Sequence, residues 1–428
     1  MKKKILSLLI AFVMIIPMTL SLVACDKDND TDGTEATKQS TMAADNIELA
    51  YESTVYDGTE KKPTVVVKYD DEVVDADEYT VEYSNNINAG KATVTVKAKD
   101  DSTVLEEGLT FTKTFVIERA PIAVATADEL NAAVKITDAN HMIKLTQNIA
   151  KVQDKVVPIL IFPETKDYDV VIDLAGYDVN SYFNIRSVST DLKVKTNYNA
   201  NVSIINSSTE ESVVGSADDA ISYAVVIRAN AEGKFVVDFE NVKFQAYWGG
   251  ISTNGSDKSE AEISAKNCKF IGTKVGGSDG VDTSVGAFLP AGHYEYEFES
   301  CTFEGYTGYF AKSGHHKLVN CTVKGNGELA FPPYYYGNGC SGTGSALVAE
   351  SCEGYNNVPL AGYPRALTID IIGGTYLSET NFAIQEYSAY KNIANRVEYA
   401  FIHITDDPIL EGAGGVSSVE NEGSVIGL

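Results

Sequence analysis

The sequence predicts an all-β fold in two parts: a small sandwich of short strands, then a long parallel β-helix entered through one short capping helix. Three observations carry this. Residues alternate with period two from Ile47 to Ile117, Thr126-Ala127-Asp128-Glu129 has the form of a capping box, and a short repeat recurs beyond it. At about 150 residues per domain, 428 residues leave room for roughly three units. With 44% hydrophobic and 22% charged residues the bulk of the chain can bury a core. Asp+Glu total 60 against 34 Lys+Arg, a net charge of −26. No excess of cations is available to displace counterions from phosphates, which excludes a nucleic-acid partner.

The first element is an address. Lys2, Lys3 and Lys4 precede an apolar run from Ile5 to Ala24, the pattern of an export signal. A plain transmembrane anchor would share it, but Leu22-Val23-Ala24-Cys25 resembles a bacterial lipobox. That resemblance implies a signal peptide over 1–24 and a lipid on the Cys25 sulfur. The lipid would hold the protein to the bacterial cell membrane or outer membrane, facing away from the cytoplasm, and two or three acyl chains suffice for stable anchoring. No later stretch approaches about 20 unbroken apolar residues. Residues 25–45 are polar and acidic, without apolar periodicity, and read as a flexible tether.

Over 46–119 the β-rich runs are Val65–Tyr69, Tyr79–Tyr83, Ala92–Val96 and Phe111–Ile117, with Asn85-Asn86 and Asn88-Ala89-Gly90 at the reversals. Tyr56-Asp57-Gly58, Tyr79-Thr80-Val81-Glu82-Tyr83-Ser84-Asn85-Asn86, Ala92-Thr93-Val94-Thr95-Val96 and Phe115-Val116-Ile117 resemble the bacterial Ig-like repeats of surface proteins. The resemblance implies a spacer. This copy departs from the pattern at Glu78, where Asp is usual, and over Lys99–Gly108, where a short turn is usual.

The rest, 121–428, opens with Leu130, Ala133 and Val134 at helical spacing after the capping box, a helix placed to cover the open strand edges of a first coil. Strands follow at Ile143–Leu145, Val170–Leu174, Val202–Ile205 and Phe235–Phe239. A glycine-framed unit then recurs at Gly249–Gly255, Gly286–Gly292 and Gly308–Gly314, at intervals of 37 and 22 residues. A second unit recurs as Asn267-Cys268-Lys269-Phe270, Ser300-Cys301-Thr302-Phe303 and Asn320-Cys321-Thr322-Val323, at intervals of 33 and 20, with Asn241-Val242-Lys243-Phe244 an earlier copy. A rung of about 20–22 residues with loop insertions accounts for both series and suits one turn of a parallel β-helix. Asn267 and Asn320 would then occupy the bends, since Asn tolerates left-handed backbone. Val242, Cys268, Cys301 and Cys321 would stack inside, with Phe244, Phe270, Phe303 and Val323 two positions on. This region resembles the right-handed parallel β-helix, pectin-lyase-like superfamily, particularly its exported members. The resemblance implies fold more than chemistry.

With Cys25 committed to lipid, Cys268, Cys301, Cys321, Cys340 and Cys352 remain, an odd number with three in one repeat position, which favours a buried thiol ladder over disulfides. No Cys/His spacing supports a metal site. His293 and His315 read as equivalent corner positions 22 residues apart, and His316 aligns with the inward Tyr296. A polysaccharide lyase would need carboxylates to hold Ca²⁺ against a uronate and a basic residue to take the C5 proton. A glycoside hydrolase would need paired carboxylates. The candidates are Asp279 with Asp282, Asp218-Asp219 and Asp406-Asp407, with Arg228 and Arg365 as bases, and none sits in a motif matching either enzyme group. Ca²⁺ enters only under that lyase alternative, and no other cofactor is expected. Aromatic clusters at Tyr247-Trp248, Tyr306 with Tyr309, and Tyr334-Tyr335-Tyr336 are flanked by glycine or proline, and exposed rings stack on sugars. The leading expectation is a surface binding or adhesion module for polysaccharide or a host glycan. A carbohydrate-active lyase or hydrolase is the first alternative, and a structural envelope protein the second.

Overall fold

The computed structural model describes residues 44–69, 72–151, 156–187, 196–217, 221–229, 233–255, 260–274, 284–290, 294–327, 343–351, 367–388, 400–415, 417–418 and 425–426. Among the described residues the structure is all-β apart from one α-helix and short 3₁₀ turns.

The first part forms two small sheets. Ile47–Leu49, Val65–Tyr69 and Glu72–Val73 pair antiparallel. Tyr79–Ser84, Gly90–Ala98 and Thr110–Glu118 form an antiparallel meander, to which Ser53–Val55 adds in parallel. Alternation places Ala92, Val94, Val96, Phe115 and Ile117 in the buried set, and Asn85 takes the left-handed conformation at φ 55°. The two sequence departures belong together. Glu78 accepts from Ser102 Oγ at 2.6 Å, Thr103 N at 2.6 Å and Thr103 Oγ1 at 3.0 Å, so the longer acid holds the longer loop. After Arg119 the strand Ala120–Val124 leaves these sheets and pairs in parallel with His141–Leu145. Ala89 N donates to Asn140 Oδ1 at 2.8 Å and Arg119 pairs with Asp169 at 2.7 Å, joining the two parts directly.

The second part consists of three long parallel sheets of eleven, nine and seven strands, an arrangement that fits a β-helix. Each coil visits them in turn. Gly249–Gly255 lies in the nine-stranded sheet, Ala261–Lys266 in the eleven-stranded sheet and Lys269–Gly272 in the seven-stranded sheet; the chain then returns to the nine-stranded sheet at Val285–Leu289. The bend from the eleven- to the seven-stranded sheet is tight, and left-handed residues stack there: Asn241, Asn267, Ser300 and Asn320 at φ 50–58°, then Gly373 at 63°. Short polar side chains tolerate this backbone by bonding locally, and Asn267 Nδ2 reaches Asn241 Oδ1 at 3.3 Å.

Inside, like residues ride over like. Cys268, Cys301 and Cys321 are free and buried. Their thiols reach backbone carbonyls, with Cys301 Sγ 3.4 Å from Ala265 O and Cys321 Sγ 3.3 Å from Phe298 O, and the Cys301 thiol also meets that of Cys268. Burial pushes the Cys321 thiol up to about 12, with Cys301 beside it adding to the shift. Cys340 and Cys352 lie outside the described residues. Phe244, Phe270 and Phe303 stack at 5.3 and 5.2 Å with planes within 9°. The shortest coil is 20 residues, from Glu295 to His315, and the next, from His315 to Thr368, is 53.

Two expected registers are corrected. Ile251 pairs with Ala287 and Ser252 with Phe288, so Gly250, not Gly249, is the counterpart of Gly286, an interval of 36 residues and not 37. Adjacent glycines left both alignments open to the sequence, and both are closely packed, an added Cβ standing 2.6 Å from Phe270 Cα at Gly250 and 2.7 Å from Val285 O at Gly249, so the strand pairing alone decides the register. His315 pairs with Glu295, so it is not the counterpart of His293, which lies outside the described residues. His316 does lie against Tyr296, their rings stacked at 4.4 Å.

The helix Ala127–Ile136 starts with a complete capping box between Thr126 and Glu129 and buries Ala127, Leu130, Ala133 and Val134. Its Asn131 accepts from Leu160 N at 2.9 Å and donates to Pro158 O at 3.1 Å, meeting the polar groups of Ile159–Ile161, the first strand of the nine-stranded sheet.

Candidate functional site

Connection lengths single out one face. From Glu240 to Thr375 the bend between the eleven- and seven-stranded sheets is one or two residues. Beyond Leu145 the connections of more than ten residues, 146–158, 187–199, 273–284, 326–346, 352–366 and 389–399, each begin or end at a strand of the nine-stranded sheet. Long connections on a rigid scaffold are where binding residues concentrate.

The register aligns Asn184, Val226, Ser252, Phe288, Phe310, Val348 and Gln385 across the outer face of that sheet. Phe288, Phe310 and Val348, with Val285, form an apolar cluster distinct from the interior core, and Tyr223 packs against it. Two residues further along, Arg186 pairs in register with Arg228, which is exposed. Burial, and then the neighbouring Arg228 charge, lower the Arg186 pKa. At the other end of the row Lys312 meets Glu350 at 3.0 Å, both side chains at most 4% exposed, with the ammonium 5.5 Å from the Phe310 ring centroid.

At the corner leading into this sheet stand Tyr247 and Trp248, both half-buried. Trp248 N donates to Ser222 O at 2.9 Å, and Val285 N donates to Trp248 O at 2.7 Å, so both neighbouring coils hold the tryptophan backbone. Lys274 N donates to Tyr247 O at 2.7 Å. The Lys274 ammonium lies 5.0 Å from the Trp248 centroid and 5.7 Å from that of Tyr247, within cation–π range. A flat aromatic surface beside a positive charge can stack on a sugar ring and hydrogen-bond its substituents.

The other aromatic candidates fare differently. Tyr306, 6% exposed, presses on the backbone at Gly327, where a Cβ would stand 2.3 Å from its ring. Tyr309 is fully buried. Its hydroxyl donates to His316 Nδ1 at 2.7 Å and its ring meets Phe303 edge-on, so it belongs to the core and offers no face to a ligand. The expectation of a Tyr306–Tyr309 platform is corrected accordingly: Tyr309 sits in a strand whose every position from Thr307 to Ala311 is buried, and Tyr306 is buried at the bend before it. Tyr334, Tyr335, Tyr336, Asp218, Asp219, Asp279, Asp282, Arg365 and Cys25 lie outside the described residues. Asp406 and Asp407 occupy a left-handed bend at φ 62° and 46°.

Sequence reasoning missed Lys274, Phe288, Phe310 and the Lys312–Glu350 pair. A signal for the phenylalanines was present, since Val285-Gly286-Ala287-Phe288-Leu289 is an unbroken run of non-polar residues, the mark of a strand covered on both faces. Among the described residues no helix is long and apolar enough to cross a membrane, and no group of three or more His, Cys, Asp or Glu side chains is arranged to hold a metal ion. Comparisons with protein-family models, curated proteins and solved structures give no match.

Proposed function

We propose that this is a lipid-anchored bacterial surface protein whose right-handed β-helix binds polysaccharide or a host glycan. In this reading Cys25 is the anchor, the Ig-like domain is a spacer, and the helix at Ala127–Ile136 caps the first coil. The observation that carries the binding reading is the Tyr247–Trp248 pair with Lys274 over it, at a corner of the one sheet where the long connections meet. A packed coil beneath the pair and long connections from the same sheet support this reading, since binding residues concentrate on such connections.

Affinity measured calorimetrically across a polysaccharide and host-glycan panel tests this. Trp248→Ala weakens the best ligand by about two- to tenfold, the range of one aromatic stacking contact. Unchanged affinity in that variant removes the corner from the site, and a Tyr334→Ala/Tyr335→Ala/Tyr336→Ala variant tests the connection 326–346 in the same way. The same panel, followed by absorbance of unsaturated uronate and by reducing-end release, addresses the enzymatic alternative. A Ca²⁺-dependent signal lost in Asp279→Ala or Asp282→Ala replaces binding with lyase chemistry.

A further inference from the structure

The outer face of the eleven-stranded sheet carries a hydrogen-bonded row of ionisable side chains across four consecutive strands, remote from the aromatic corner. His315 Nδ1 stands 2.9 Å from Glu295 Oε2, and His315 Nε2 stands 2.9 Å from Asp370 Oδ2. Asp370 Oδ1 stands 2.9 Å from His403 Nδ1. A neutral imidazole has one N–H and can donate to one carboxylate; bonding to both takes the doubly protonated ring. His403 uses a single nitrogen and can keep its bond when neutral.

We propose that His315 is a proton-operated clamp. Doubly protonated, it fastens the coils carrying Leu367–Ile372 and Ala400–Thr405 to the coil carrying Tyr294–Glu299; with one proton lost, it releases them. His315 faces Thr368 across the 53-residue coil, so the clamp joins strands that are neighbours in the sheet and far apart in the chain.

The groups around His315 decide the sign. On the preceding strand Glu297 is held by Lys317 at 2.7 Å, and beyond it Glu262 is held by Lys234 at 2.5 Å. His316, next in the chain, faces inward. Glu295 and Asp370 both stand at hydrogen-bonding distance of His315, and Asp370 also meets His403. Burial lowers the His315 pKa, and the bonds to Asp370 and Glu295 more than offset it, so the net shift is upward from 6.5. For Asp370, burial raises the pKa, and the bonds to His315 and His403 outweigh that, so the net shift is downward from 3.8. A histidine raised on folding stabilises fully below its unfolded value and loses that stabilisation as pH climbs through its folded value. An aspartate lowered on folding stabilises above its unfolded value. The clamp therefore opens on the alkaline side, as pH climbs above 6.5 and through the raised His315 value.

Amide hydrogen exchange on the full chain at pH 6 and 8.5, corrected for intrinsic rates, tests the proposal. These side chains are partly exposed, so the expected effect is local: protection in 367–372 and 400–405 falls about two- to fivefold more at pH 8.5 than in 200–205 and 235–240 of the same sheet. His315→Arg, permanently charged with donors on both sides, removes the difference, and His315→Gln shows the lower protection at both pH values. Asp370→Asn serves as the second variant and also flattens the response. An equal pH response in all four strands overturns the clamp, as does a pH response that persists in His315→Arg or Asp370→Asn.

Discussion

His316 and Tyr309 show how a polar pair is held inside a stack of apolar rungs. Tyr309 Oη donates to Nδ1, and Nε2–H donates to Ser313 O at 2.9 Å, so the neutral ring has both nitrogens satisfied. Full burial, with the adjacent His315 charge as a smaller cause, pushes its pKa down to about 3. Below pH 6.5 the unfolded chain binds a proton here that the folded chain refuses, so stability drops as pH falls from 6.5 towards 3. In urea titrations between pH 6.5 and 4, wild type loses stability relative to His316→Gln by up to about 1.4 kcal/mol per pH unit. Parallel curves would mean that the ring is reached by water. The inward position of His316 was legible because it recurs two places before an aliphatic residue, as Tyr296 does before Phe298. The burial of Tyr309 was not, because its strand lacks the polar alternation that tells one face from the other. The phenylalanine and cysteine ladders were legible for the opposite reason: their rungs keep the same polar neighbours, Lys269, Thr302 and Thr322, facing out.

At the scale of elements, a helix side chain meets the edge strand of the nine-stranded sheet. A first coil has backbone groups with no coil beneath them, and a bare edge invites pairing with another chain. Asn131 meets two of those groups, so Asn131→Ala lowers stability by about 1 kcal/mol, read from the shift of the urea midpoint at constant slope. An unchanged midpoint would show that water serves the Leu160 N–H equally well. The capping box was legible because its two partners are three residues apart in sequence. The Asn131 contact spans 29 residues, and nothing local announces it. Register behaves similarly. Where a unit contains one distinctive residue, as in Asn-Cys or Ser-Cys, the alignment is unique; at Gly249-Gly250 two alignments differ by one residue, and only the strand pairing with Val285–Leu289 distinguishes them.

At the scale of the whole molecule, coil length is the variable and rise per coil the constant. Coils run from 20 to 53 residues, yet every neighbouring pair of strands in the three sheets is parallel and hydrogen-bonded at about 4.8 Å. The period was legible where coils are short; insertions of 10 to 30 residues hide it elsewhere because they scale with no physical repeat. The most direct measurement exploits that contrast. In the eleven-stranded sheet Ile205, Glu240, Lys266, Glu299, Val319 and Ile372 face one another in successive strands. Pulsed dipolar spectroscopy with spin labels at 205 and 319 should give about 19 Å, and at 205 and 372 about 24 Å, four and five strand spacings respectively. Fifty-three further residues of chain then add a single step of about 5 Å. A second distance equal to or shorter than the first, or longer by much more than one step, contradicts the stack.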